Sequence, residues 1–192
     1  LAFESDSNTS SGRRKFLIQS SVSIFAASLS PLANASTSKI ADIKTADKHL
    51  SFIHLHTNET LQCCYWKNGQ YDVVALNKIN QLLRDHRTNE VAAIDHQLID
   101  MLHKLQSLTD SSTPFEIISG YRSAKTNQNL RKNTSGVAKR SYHMQGKAID
   151  IRLADVDLKL LRNTAIELQS GGVGYYSKSG FLHLDTGNPR NW

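Results

Sequence analysis

Cysteine is almost missing from these 192 residues: there are two, and they are neighbours, Cys63 and Cys64. A disulfide between adjacent residues closes a strained ring, so no internal staple is expected. Intermolecular bridges or two half-buried thiols are left, and thiols are the expectation. Neither is read as a nucleophile, because only His54 and His56 stand near enough in sequence to act as a base. Long apolar runs are scarce as well. The stretch from Phe16 to Leu32 is interrupted by serines and by Pro31, which argues against a stable membrane span in the mature form. Nor does one sign of charge dominate: 23 Lys and Arg face 17 Asp and Glu, a net of +6. A modest basic excess suits an anionic polymer. It fits nucleic acid equally, but no basic motif interleaved with aromatics occurs, so nucleic acid is not an expected partner. Internal repeats and low-complexity segments are absent too.

What is present begins with an export leader. Gly12-Arg13-Arg14-Lys15 precedes the apolar run, and Ala33-Asn34-Ala35 follows it. The small-x-small pattern is what a signal peptidase accepts, and the paired arginines point to twin-arginine export rather than ordinary secretion. Residues 1–35 are therefore expected to be a signal peptide, which places the mature chain in the periplasm. Arg13, Arg14 and Lys15 leave with it, as do Glu4 and Asp6, so the net charge falls from +6 to +5. Residues 36–48 read as a polar linker. Residues 49–192 suffice for one domain with one core.

Hydrophobic periodicity supplies the elements. Leu50–His56 and Leu61–Trp66 alternate well enough for a hairpin around Thr57-Asn58-Glu59. Val74, Leu76, Ile79, Leu82, Leu83 and His86 predict a helix from Asp72 to Arg87. Asp95 caps a second one carrying Leu98, Leu102, Leu105 and Leu108. Phe115–Ser119 and Ala148–Leu153 read as strands, Ala124–Arg131 as a helix, and residues 133–139 as a polar loop. A further helix carries Leu158, Leu161, Ala165 and Leu168. Residues 171–176 and 181–185 close the domain as two short strands. The class is α+β, a small antiparallel sheet with flanking helices. His86, His96 and His103 belong to the scaffold rather than to a site.

Three residues carry candidate chemistry: His143, Asp150 seven positions later, and His183 thirty-three beyond that. Gly146 lets the chain turn between the first two. Two imidazoles and a carboxylate from three elements make a three-ligand zinc site with the fourth position left for water. Zinc would lower the pKa of that water to about 7 and polarise a carbonyl. Spacing alone is a weak signal, because a His and an Asp seven apart occur in many chains.

The surrounding text is more specific. Ser141-Tyr142-His143-Met144-Gln145-Gly146-Lys147-Ala148-Ile149-Asp150 resembles the S-x-H-x-x-G-x-A-x-D signature of the D-Ala-D-Ala peptidase and Hedgehog superfamily. Ile118-Ser119-Gly120-Tyr121-Arg122-Ser123 is similar to its arginine-bearing segment. Gly171-Gly172-Val173-Gly174-Tyr175-Tyr176 with Phe181-Leu182-His183-Leu184-Asp185 is similar to the closing segment of the murein endopeptidase K branch. The resemblance implies a zinc metallopeptidase that cuts peptide cross-links of peptidoglycan outside the cytoplasmic membrane. It implies His143, Asp150 and His183 as zinc ligands, and Arg122 as the cation that steadies a substrate carbonyl or carboxylate. Many members place an acid three residues before the last ligand, where this chain has Gly180. Asp185 shares a strand face with His183, so it is expected to be catalytic, accepting the water proton, with orientation of a zinc-bound imidazole as the alternative. If its segment is extended, Ser141 also shares a face with His143 as a hydrogen-bonding neighbour. A D-Ala-D-Ala carboxypeptidase or dipeptidase, and an inactive zinc-containing wall-binding module, are the alternatives.

Overall fold

The computed structural model describes residues 46–192. The expected signal peptide and nearly all of the expected linker lie outside the described residues. In chain order the elements are β1 (Lys48–His54), β2 (Thr60–Lys67), β3 (Gln70–Tyr71), α1 (Val73–Leu82), α2 (His96–Leu108), β4 (Phe115–Ser119) and α3 (Ala124–Asn133). A single 3-10 turn (Tyr142–Gln145) follows, then β5 (Ala148–Leu153), α4 (Leu158–Glu167), β6 (Gly172–Tyr176), β7 (Phe181–Asp185) and β8 (Arg190–Asn191).

The α+β class holds, but the sheet is larger than expected and not wholly antiparallel. Eight strands run in the order β3-β2-β1-β4-β5-β7-β6-β8. The N-terminal hairpin joins the rest through a parallel β1–β4 pairing, and β8 joins β6 in parallel.

Each helix starts where a short polar side chain accepts a backbone N–H. Asp72 takes Ala75, Asp95 takes Gln97, Ser123 takes Thr126, and Asp157 takes Lys159 and Leu160. Such caps are worth about 0.5–2 kcal/mol each. Helix α1 stops at Leu82, short of the Arg87 expected. The cause is Asp85, whose buried carboxylate turns away to accept the N–H groups of Arg87 and Ser123, both at 2.9 Å. Leu108, expected on the apolar face of α2, is 62% exposed at its last turn.

Alternation along the central strands decides the layers. Ile149, Ile151 and Leu153 of β5 and Leu182 and Leu184 of β7 join Leu50, Phe52, Phe115 and Ile117 in one core with Ile79, Leu98, Leu102 and Leu161 of the helices. Fully burying each such side chain contributes about 1.5–3 kcal/mol. The intervening residues, Asp150 and Arg152 on β5 and Phe181, His183 and Asp185 on β7, therefore point to the opposite face. That face holds the candidate site.

Candidate metal centre

Strand register brings the distant candidates together. Asp150 sits directly across from His183 in the β5–β7 ladder, and Asp185 sits across from Ala148. On the other flank of β7, Gly174 lies opposite His183. His143 arrives from the 3-10 turn rather than from an extended segment, which corrects the expectation for Ser141. Ser141 caps that turn instead, its Oγ accepting the His143 N–H at 3.3 Å. Gly146 ends the turn at φ +66°, and a Cβ there would collide with the Ala93 carbonyl.

The ring orientations follow from hydrogen bonds. His143 donates Nδ1–H to the Gly120 carbonyl at 2.7 Å, which leaves Nε2 facing the site. His183 donates Nε2–H to Asp185 Oδ2 at 3.1 Å and turns Nδ1 towards Asp150 Oδ1 at 2.8 Å. His143 Nε2 stands 3.2 Å from His183 Nδ1 and 3.3 Å from Asp150 Oδ1. Four ligands around a tetrahedral zinc at about 2.0–2.1 Å lie about 3.3 Å from one another. Two of the three edges match that figure and the third is shorter, so the donor set fits a metal ion. Among the described residues this is the one group of three or more His, Cys, Asp or Glu placed to hold one.

Electrostatics keep the cluster preformed. Burial pulls the His183 pKa down, but the hydrogen bonds to Asp150 and Asp185 outweigh it and raise it to about 9. Without a metal, His183 is therefore an imidazolium at neutral pH that donates on both sides. Burial pushes Asp150 up, yet His143 and His183 hold it well below the ordinary carboxylate range. Asp185 is held down likewise, against burial, by His183, Arg190 and the Gly187 N–H.

Arg122 reaches the same place from the loop after β4. Its backbone N–H donates to the His143 carbonyl at 3.1 Å, and its Nη2 lies 3.9 Å from Asp150 Oδ2. The Nε of this arginine is buried with no partner. Burial lowers its pKa, Asp150 opposes that, and the guanidinium stays charged.

Asp185 is fully buried and saturated. Arg190 binds both of its oxygens at 3.0 and 2.7 Å, and the N–H groups of Gly187 and Gly172 add 2.9 and 3.3 Å contacts. The acid that many superfamily members carry is Gly180 here, at φ +71°. Besides Asp150 and Asp185, no described carboxylate lines the open cleft of about 720 Å³ over the site.

Sequence reasoning did not single out Arg190, Trp192 or Tyr176, which form the cleft's far wall. The Trp192 indole stands 5.4 Å from the His183 ring, donates to Tyr176 Oη at 3.2 Å and stacks with the Arg190 guanidinium at 4.9 Å. Arg190 falls five residues after Asp185, a spacing with no local meaning until β8 pairs with β6.

A cleft floored by two imidazoles and one carboxylate, with a guanidinium beside them, is the layout of a single-metal hydrolase. Comparison with known proteins makes this particular. A family described as peptidoglycan L,D-endopeptidase MepK, a Peptidase_M15_2 family, matches residues 42–192. Peptidoglycan L,D-endopeptidase MepK of Escherichia coli (strain K12) is 39% identical over 180 residues, 94% of this chain and 96% of that protein, and the Shigella flexneri protein of the same name gives the same figures. "Probable peptidoglycan L,D-endopeptidase MepK" of Haemophilus influenzae is 42% identical over 144 residues, 74% of this chain and 77% of its own. The chain belongs to this metallopeptidase family.

Proposed function

We propose that the protein is a zinc-dependent peptidoglycan endopeptidase that hydrolyses peptide cross-links, acting in the periplasm after twin-arginine export. One observation supports the metal assignment: the three donor atoms converge to 2.8–3.3 Å of one another, two of the three edges matching those of a tetrahedral ion's ligands. Zinc held there would supply a Lewis acid and a water acidified to a pKa of about 7.

The chain's own groups do the rest. His143 is locked by Gly120, so its Nε2 lone pair points into the cleft. His183 presents Nδ1 because Asp185 holds Nε2–H. Asp185 thereby positions a ligand. What argues against it as the proton acceptor is that both of its oxygens already accept from cations and backbone amides. Arg122, with donors unused, binds the oxygen on which charge grows as a peptide carbonyl is attacked, or an adjacent substrate carboxylate. The names of the relatives specify an L,D bond, and we carry that stereochemistry to this chain's substrate.

Digestion of purified cross-linked muropeptides, with mass analysis of the products, tests this. Dimers should be cut to monomers at an L,D bond, cutting should stop with a chelator and return with zinc. Intact dimers in every condition, or cutting indifferent to chelation, would reject the proposal.

A further inference from the structure

The charge of this protein is segregated along the sequence. Between Glu116 and Asp150 there is no acidic residue, yet there are Arg122, Lys125, Arg131, Lys132, Lys139, Arg140 and Lys147. Those seven charges exceed the whole chain's net of +6, so everything else sums to −1. The basic character belongs to one segment.

The fold lays that segment beside the candidate metal centre. It comprises the Arg122 loop, all of α3, the loop at 134–140 and the turn bearing His143. Ser135, Gly136, Val137, Ala138 and Arg140 line the cleft together with His143. The loop is anchored at both ends. Asn127 Nδ2 donates to the Ala138 carbonyl at 3.1 Å, and the Thr134 N–H closes α3 on Leu130 at 2.8 Å. Lys125, Arg131, Lys132, Lys139 and Arg140 are exposed. Among the described ion pairs, only Arg122 of the seven faces a carboxylate. The α3 C-terminus favours cations in its last turn, which accounts for Arg131 and Lys132. Lys139 and Arg140 lie beyond it, and nothing in the scaffold uses them.

We propose that this segment is a docking lip for the anionic cell-wall polymer, its exposed cations holding peptidoglycan carboxylates that flank the cross-link being cut. The idea rests on the peptidoglycan reading above and deepens it. Solvated cations each contribute little, but several along one edge engage one polymer simultaneously, and their effects compound. A short soluble fragment offers few carboxylates and forgoes that multivalency. The lip therefore governs binding to the intact wall and leaves chemistry on small substrates alone.

The test compares two triple variants of equal net charge. One changes the lip: Arg131→Gln, Lys132→Gln and Lys139→Gln. The control changes exposed lysines elsewhere: Lys67→Gln, Lys78→Gln and Lys104→Gln. Each is co-sedimented with purified sacculi and assayed on a soluble cross-linked dimer. At low salt the lip variant should bind sacculi about tenfold more weakly than wild type, with the control unchanged. At about 1 M salt, where the Debye length is about 3 Å, the three should converge. Dimer turnover should stay within about twofold in both variants. Wild-type sedimentation by the lip variant, or equal loss in the control, would overturn the proposal. So would lip-dependent binding to phosphatidylglycerol vesicles without a loss on sacculi. Sedimentation needs no catalysis, so a wild-type protein that cuts nothing would reject the enzymatic reading while the lip is still decided.

Discussion

Replacing Asp185 with Asn separates positioning of a ligand from transfer of a proton. Donors crowd this carboxylate: His183 Nε2 and Arg190 Nη2 on Oδ2, and Gly187 N, Gly172 N and Arg190 Nη1 on Oδ1. An amide offers one acceptor oxygen and one NH₂. Whichever way it is turned, the NH₂ meets donors, either His183 and Arg190 Nη2 or Arg190 Nη1 and the two glycine N–H groups. Hydrogen bonds to a charged group contribute about 1.5–3 kcal/mol each. The Arg190 share is discounted, because its side chain is 41% exposed and water replaces the lost partner. The net expectation is a loss of about 2–3 kcal/mol in unfolding free energy. His183 is left with at best a neutral acceptor for the Nε2–H that fixes its tautomer, so zinc affinity should fall about 10–100-fold. Turnover at saturating zinc should then return to within about threefold of wild type. A general base would behave otherwise, with turnover down about 10²–10⁴-fold at saturating zinc and affinity unchanged. Chelator competition gives the affinity, and hydrolysis of a cross-linked dimer on the same preparation gives the turnover. Unchanged affinity with a hundredfold slower enzyme would refute the positioning role.

The raised pKa of His183 sets two pH dependences in the metal-free protein. A group whose folded pKa lies above its unfolded value of about 6.5 stabilises fully below that value, and the contribution is lost as pH rises through about 9. The metal-free Tm should therefore fall across that window in calorimetry, and zinc affinity should rise about tenfold per pH unit as the competing proton leaves. Gly174→Ala puts a Cβ 2.7 Å from the Trp192 indole, which must leave its place beside His183. Steady-state kinetics on the dimer should show KM up about tenfold with metal content unchanged. Changing Arg13 and Arg14 to Lys should retain the protein in the cytoplasm, since twin-arginine receptors read guanidinium pairs, and cell fractionation checks it.

Strands whose side chains alternate between two environments were readable to the residue. β4, β5 and β7 begin and end where the period-2 pattern places them, because each residue is either in the helix-facing core or on the site face. The same alternation placed Asp185 beside His183. What escaped depends on contacts distant in sequence. The parallel β1–β4 pairing leaves no local mark, and it is what unites the hairpin with the main sheet. The early end of α1 is set by Asp85 reaching Ser123, 38 residues away. Leu108 keeps helical spacing, yet the helix ends there with nothing packed over it. At the site, the motifs around His143, Asp150 and His183 pointed to the three residues that the fold brings together, but not to the nitrogen each ring presents. That choice belongs to the Gly120 carbonyl and to Asp185, and the latter's saturation depends on Arg190.

The central claim is that His143, Asp150 and His183 together hold one zinc ion. Metal content measured by mass spectrometry on purified wild type and on the His143→Ala, His183→Ala double variant tests it most directly, with circular dichroism verifying the fold of each. The account predicts close to one zinc per chain in the wild type and none in the folded double variant. Stoichiometric zinc in that variant, or a folded wild type that binds none at micromolar zinc, would contradict it.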